Sequence, residues 1–400
     1  MQKLTTEQEK LGLKQYVQVF LKAYRKEYKA EKKKFDDKTI KLKIRREWKK
    51  LDYEQKLEWV EDCYYTLYGL YENRILRNRI TEWCKNIITK NQSSGKTIVS
   101  WNVNSLRTNI LGKKGSSVDP NSPFGTLLKI EDPDIICLQE TKLQEKMEKD
   151  FHFKGYHSYF SSSTVVKGYA GVALLTKEKP ISVSTDLEGI DEDLRNEGRI
   201  ITAYFKEFAI VNTYVPNTSR ADDDYELYMA RRKNWDNAIR EHLNKIKEEV
   251  GEVIWCGDLN VAMTMRDIYN GEKTKQILDS NRKYPKAKTK EYQDRLKAAE
   301  NSFKFGGGAG LRLEEREGLQ NILDDGFIDA YRELYPLDYG FTYWNMRIPP
   351  YREHDNGWRI DYFVTTPSLV KSIKSIEVLR MLGVQKIVPS DHAPLVLKLK

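Results

Sequence analysis

Six short segments carry the side chains able to do chemistry: SWNVNSLR at 100–107, LQETK at 138–142, NTYVPN at 212–217, GDLNVA at 257–262, GWRIDYF at 357–363 and SDHAP at 390–394. Each sets a carboxylate, an amide, a phenol or an imidazole in or beside an apolar run. Such a run reads as a buried strand, and residues just past strand ends are where open sheets keep their chemistry. Carboxylates offer hard oxygen ligands to a small divalent cation, or a general base. An imidazole offers a proton or a positive charge, and amides and phenols hydrogen-bond to anionic oxygens. The set predicts metal-assisted hydrolysis of a phosphodiester.

Elements that position these groups follow from the texture of residues 97–400, where short β-branched runs alternate with longer helical stretches. The expected strands are 97–103, 134–139, 171–176, 199–205, 208–215, 252–257, 360–365 and 394–399, with a helix over 223–250. This pattern predicts an α/β fold in which two sheets stack face to face with helices outside. Residues 271–308 interrupt it: they are Lys-rich and polar, end in Gly306-Gly307-Gly308, and read as a surface insertion. The glycine run reads as a hinge, because no strand precedes it and no helix follows it as in a phosphate-binding loop.

The first quarter of the chain differs. Residues 1–95 hold 23 Lys+Arg and 14 Asp+Glu, a net +9, and the remainder holds 45 of each. A basic binding module ahead of a charge-balanced body is the expected arrangement. Apolar residues recur at helical spacing and predict an all-α domain of three helices near 13–34, 38–50 and 53–82. The stretch 40–72 resembles the second half of an HMG box through Trp48, Lys49, Leu51, Lys56 and Trp59 or Val60. That family bends DNA from the minor groove. A generic three-helix interaction domain stays open beside it. The expected domains are therefore 1–90, a polar hinge at 91–96, and a catalytic body over 97–400.

The four cysteines, Cys63, Cys84, Cys137 and Cys256, include no CxxC pair. Neither a zinc site nor a disulfide framework is expected, which places the chain in a reducing compartment, nuclear or cytoplasmic. No run approaches a membrane span, so no membrane partner is expected. Lys- and Asn-rich usage fits an AT-rich genome, a viral one among the candidates.

LQETK, YVPN, GDLNVA, GWRIDYF and SDH, in that order, make residues 97–400 similar to the exodeoxyribonuclease III / AP endonuclease family. The resemblance runs nearly end to end apart from 271–308 and implies roles residue by residue. Glu140 is the implied ligand of Mg²⁺, or of Mn²⁺, joined by Asn104 and Asp391. Asp258 is the implied water-activating base and Asn260 its partner. His392 and Asp361 are the implied imidazole–carboxylate pair, and Tyr214 and Asn217 hold the scissile phosphate with Asn102 beside them. Softer implied DNA contacts are Arg220, Tyr169 and Arg199. Trp344 is an implied substrate contact; in the loop after Tyr343-Trp344, Met346, Arg347 and Ile348 are implied wedge residues, and Trp358 and Phe363 are implied to line a pocket for a flipped-out abasic sugar.

The implied activity is incision of duplex DNA 5′ to an abasic site, with accessory 3′-phosphodiesterase and 3′→5′ exonuclease action, by a monomer. Two other readings remain. One is a phosphoesterase of the same fold acting on RNA or other phosphoesters. The other is a catalytically dead, architectural DNA-binding protein, which the intact Glu140, Asp258, Asp361 and His392 argue against.

Overall fold

The computed structural model describes residues 37–51, 95–111, 118–119, 122–219, 224–269, 309–336, 338–346, 352, 355–380 and 389–400, with Leu13, Val17 and Lys56 besides. Two compact units divide the chain: the first holds Met1–Gln92 and Gly383–Gln385, and the second holds Ser93–Leu382 and Lys386–Lys400. In the first, helix α1 (Asp37–Lys50) buries Ile44 and Trp48, four residues apart on one face, and exposes Arg45, Arg46 and Glu47. It lies where a helix over 38–50 was expected. The other two expected helices, near 13–34 and 53–82, fall almost wholly outside the described residues, as does the expected insertion at 271–308.

Among its described residues the second unit has twelve strands: β1 (Thr97–Asn102), β2 (Ile135–Gln139), β3 (His157–Ser161), β4 (Val172–Thr176), β5 (Ser182–Ser184), β6 (Ile200–Tyr204), β7 (Ala209–Tyr214), β8 (Val253–Asp258), β9 (Ile328–Asp329), β10 (Asp361–Thr365), β11 (Ile373–Val378) and β12 (Leu395–Leu399). They form two six-stranded sheets, in the orders β11-β12-β1-β2-β4-β3 and β5-β6-β7-β8-β10-β9. The expected α/β sandwich is therefore the fold, and every expected strand is present to within two residues of its predicted ends. Each sheet has one parallel pair, β1 with β2 and β7 with β8, so four strands point their C-terminal ends the same way within their sheets.

Between the sheets lies a core to which Ile98, Ile135, Cys137, Leu174, Ile210, Ile254, Cys256 and Phe363 all contribute. Burying each of the larger aliphatic and aromatic side chains there contributes about 1.5–3 kcal/mol. Cys137 and Cys256 are buried free thiols. On the outer face of the second sheet, Val211, Val253 and Trp255 pack with Trp235, Ile239 and Leu243 of helix α3 (Tyr225–Val250) and with Leu319 and Ile322 of helix α4 (Leu313–Asp324). Helix α2 (Pro123–Glu131) brings Phe124 against Trp101, with ring centroids 6.3 Å apart. Among the described residues no helix is long and apolar enough to cross a membrane.

Strand alternation explains where the chemistry falls. In β1, Ile98 faces the other sheet, so Ser100 and Asn102 face it too. The same two-residue step carries Cys137 to Gln139, Ile210 to Asn212 and Tyr214, and Ile254 to Cys256 and Asp258. β10 and β12 run antiparallel to their neighbours, so Asp361 at the start of β10 and His392 just ahead of β12 arrive at the same end. The polar residues thus sit where the inter-sheet core opens.

Candidate active site

Two matching turns build the cleft. Asn102 Oδ1 accepts from the Asn104 backbone N–H at 3.0 Å, and Asp258 Oδ1 accepts from the Asn260 backbone N–H at 2.9 Å. Both are Asx turns, which let a strand reverse at its end. Asn104, Asn260 and Glu140 all lie in the left-handed region, with φ of 45°, 48° and 49°. Each such residue costs roughly 1 kcal/mol or more and marks a site where geometry outranks stability.

Asn102 ties the two sheets together chemically. Its Nδ2 donates to Glu140 Oε1 and to Asp258 Oδ2, both at 2.9 Å. One buried amide therefore spans the carboxylate just past β2 and the carboxylate at the end of β8. Behind it, Gln139 Nε2 donates to Asn212 Oδ1 at 2.8 Å, a second polar crosslink between the sheets.

His392 sits between two aspartates. Its Nδ1 lies 2.8 Å from Asp361 Oδ2 and its Nε2 lies 3.7 Å from Asp258 Oδ2. All three residues are at most 4% exposed. Burial works against the charged ring, but Asp361 and then Asp258 outweigh it and hold the His392 pKa up to about 10. Burial likewise lifts Asp258 to about 7, with His392 pulling it down and Asp361 pushing it up. The SDH segment is pinned from behind: Ser390 Oγ donates to Asn102 O at 2.7 Å, and Trp101 Nε1 donates to His392 O at 3.1 Å.

The donors for a cation are oxygens. Lys142 Nζ lies 2.9 Å from Glu140 Oε2 and also donates to Asn104 Oδ1. Those two oxygens thus converge on a positive charge, which is the test a cation site must meet. Asp391 Oδ1 accepts from Asn104 Nδ2 at 3.1 Å and completes the cluster. Burial opposes ionisation of Glu140, but Lys142 and Asn102 outweigh it and keep its pKa below the ordinary glutamate value. Hard oxygens of this kind suit a small divalent cation. Asp258, Asp361 and His392 also bring ligand atoms within 4.8 Å of one another, and Asp361 Oδ1 is buried without a hydrogen-bond partner.

Other expected site residues fall in three groups. Asn217 Nδ2 donates to Asn260 Oδ1 at 3.0 Å, so the YVPN and GDLN turns meet. Tyr214 pairs in register with Asp258, as does Asp361 on the opposite strand. Tyr169 and Met346 are exposed, at 39% and 53%, whereas Arg199 is only 3% exposed.

Two placements correct the sequence reading. Phe363 lies in the inter-sheet core, fully buried, and lines no sugar pocket. Trp344 is 1% exposed, with Arg352 and Arg380 at 4.9 and 5.4 Å from its ring and Nε1 donating to Asp355. It holds its loop together and has no face for DNA. Arg220, Arg347 and Ile348 lie outside the described residues.

Three contributors went unread. Tyr343 packs against His392, with ring centroids 4.9 Å apart and planes tilted by 50°, and joins Trp358, Ile268 and Ile360 in an apolar cluster. Lys142 closes the cation cluster, and its signal was its place inside LQETK. Arg232, buried on α3, donates to the carbonyls of Pro216, Leu259 and Asn260 at 3.3–3.4 Å, tying both site turns to one helix.

Comparison with known proteins agrees with this geometry. The profile of the Endonuclease/Exonuclease/phosphatase family matches residues 99–392. A Dictyostelium discoideum protein named DNA-(apurinic or apyrimidinic site) endonuclease is 33% identical over 300 residues, covering 74% of this chain and 69% of that protein. An exodeoxyribonuclease of Bacillus subtilis is 32% identical over 298 residues, covering 74% of this chain and 96% of that protein. The solved structure of an AP endonuclease from Archaeoglobus fulgidus superposes with a TM-score of 0.57 at 28% identity, covering 76% of this chain and 99% of that one.

Proposed function

The chain belongs to the endonuclease/exonuclease/phosphatase family, and from that premise we propose that it is a divalent-metal-dependent apurinic/apyrimidinic endonuclease. It hydrolyses the DNA phosphodiester 5′ to an abasic site and leaves a 3′-hydroxyl and a 5′-deoxyribose phosphate. The observation that carries this reading is the single amide of Asn102 bound to both Glu140 and Asp258, with His392 between Asp258 and Asp361. A cation-holding carboxylate, a general base and a cationic acid then border one cleft.

Glu140, with Asn104 and Asp391, would hold the cation, for which Mg²⁺ is the proposed ion, with Mn²⁺ able to replace it. When bound it supplies neutralisation of the phosphate and of the leaving oxygen. Asp258, with a pKa of about 7, takes the proton from the attacking water at neutral pH. His392 stays protonated, because its pKa is held near 10, and Nε2–H donates to a phosphate oxygen on which charge builds. Asp361 fixes the ring by accepting from Nδ1. Tyr214 has its pKa raised well above that of a free phenol, by burial and then by Glu140, so it remains a hydrogen-bond donor. With Asn217 and Asn260 it holds the phosphate in line.

The same cleft supports accessory 3′-phosphodiesterase and 3′→5′ exonuclease action, since each breaks a phosphoester with the same groups. Residues 1–90 form a basic helical DNA-binding domain on this reading, Met346 serves as a wedge beside the cleft, and the protein works as a monomer in the nucleus or cytoplasm. The chemistry of the ends tests the proposal. A duplex carrying one tetrahydrofuran abasic analogue is incubated with Mg²⁺ and its products are weighed by mass spectrometry. A 3′-hydroxyl fragment and a 5′-phosphorylated analogue are expected. A fragment ending in 3′-phosphate overturns the reading.

A further inference from the structure

Tyr214 closes strand β7 and packs on the edge of the inter-sheet core. Its cross-strand neighbour packs on the ring too. Arg199 lies just ahead of β6, opposite Tyr214, and the Tyr214 backbone N–H donates to Arg199 O at 2.9 Å. The Arg199 guanidinium carbon sits 4.7 Å from the Tyr214 ring centroid and 5.4 Å from that of Tyr169. Arg199 Nη1 donates to Tyr214 O at 3.0 Å, and Nη2 donates to the Tyr169 hydroxyl at 2.8 Å. Nε donates to Glu197 Oε2 at 2.6 Å, and the other Glu197 oxygen accepts from Arg231 on α3 at 3.0 Å.

A phosphate-binding arginine keeps its fork open to the ligand. This one is 3% exposed and spends donors on three protein partners. Even the backbone beside it is built for close approach: Gly198 has φ +66°, and an added Cβ there would meet the carbonyl of Ser161 at 2.6 Å. Planar guanidinium stacking on a ring restrains both position and tilt, which a lysine ammonium cannot do.

We propose that Arg199, itself held by the Glu197–Arg231 pair, is the positioning residue of Tyr214, packing on the ring so that the phenol is presented to the cleft, and is not a DNA phosphate contact. The inference rests on the reading of this cleft as a phosphodiesterase site. It makes the exposed Tyr169 the outer end of a continuous stack running Tyr169, Arg199, Tyr214 into the chemistry.

The experiment compares wild type, Arg199→Lys, Tyr214→Phe and the double variant on abasic duplex. It measures single-turnover rate at saturating DNA, Kd, the salt dependence of Kd, and thermal stability. A parallel readout needs no activity: NMR of ring-labelled tyrosine, with the Tyr214 signal identified by its loss in Tyr214→Phe. This packing predicts that Arg199→Lys shifts or broadens the Tyr214 signal. It also predicts about a tenfold slower turnover with Kd and salt slope unchanged, and less than a threefold effect of the same change in the Tyr214→Phe background, because the two act as one unit. An unmoved Tyr214 signal overturns the proposal. So does a weaker Kd with the salt slope reduced by about one, the signature of a lost phosphate contact, or an equal loss in both backgrounds. If wild type fails to incise while the Tyr214 signal still moves, the positioning role of Arg199 stands and the endonuclease reading falls.

Discussion

Removing the charge of Asp361 has a consequence that depends on pH in a calculable way. Asp361→Asn keeps the shape and an oxygen acceptor for the imidazole but deletes the negative charge 2.8 Å from Nδ1. Against the cost of burial, Asp361 and then Asp258 raise His392 from an ordinary 6.5 to about 10. Loss of one carboxylate at that distance lowers the ring's pKa by about two units, the middle of the range for a close opposite charge. The reaction needs Asp258 ionised and His392 protonated, so wild type works from about pH 7 to about pH 10. In the variant the alkaline edge falls to near pH 8, so the rate at pH 9 is about tenfold below its plateau. Both edges are properties of the coupled pair. The assay is single-turnover incision across pH 6–10 at saturating metal and DNA. An alkaline edge that stays near pH 10, or a loss of equal size at every pH, refutes the assignment of His392 as a cation held by Asp361.

Glu140→Gln removes one of the two carboxylates of the cation cluster while keeping its size, and calorimetric titration with Mn²⁺ should show affinity falling by roughly a hundredfold; unchanged affinity places the cation elsewhere. Gly257 has φ +134°, and an added Cβ would overlap the Thr213 carbonyl on the neighbouring strand. Gly257→Ala should therefore destabilise by about 2–4 kcal/mol, read as a lower Tm. Deleting residues 1–95 removes the whole excess of positive charge, net +9. It should weaken DNA binding and flatten its salt dependence while leaving the single-turnover rate at saturating DNA intact.

The parts of this molecule that were legible in the sequence are those where an apolar run ends in a polar residue. Runs such as IICLQ and VIWCGD are buried along their whole length, so their strand character and the cleft position of Glu140 and Asp258 could be read directly. The unread strands are edge or short ones. HSYFS (β3) and SVS (β5) are half exposed and carry no continuous apolar signal. Burial depth was the harder quantity. Asp361 and Phe363 share a face of β10, but the first sits at the open end of the core and the second two residues inside it, so only one can meet substrate. Tyr343 and Trp344 are neighbours in extended backbone, and adjacent side chains point opposite ways. Tyr343 turns to His392 and Trp344 turns inward to Arg352 and Arg380. Arg232 could not be found by motif, because its role depends on α3 passing behind two turns that are 44 residues apart in the chain, from Pro216 to Asn260.

Single-turnover incision of a duplex with one tetrahydrofuran site, in Mg²⁺ and in EDTA, with Asp258→Asn alongside, tests the central claim most directly. One cut immediately 5′ of the analogue is expected, abolished by EDTA and reduced at least a thousandfold in Asp258→Asn, about 4 kcal/mol of lost transition-state stabilisation. Incision that survives EDTA or the loss of Asp258, or equal cutting of an intact duplex, contradicts that claim.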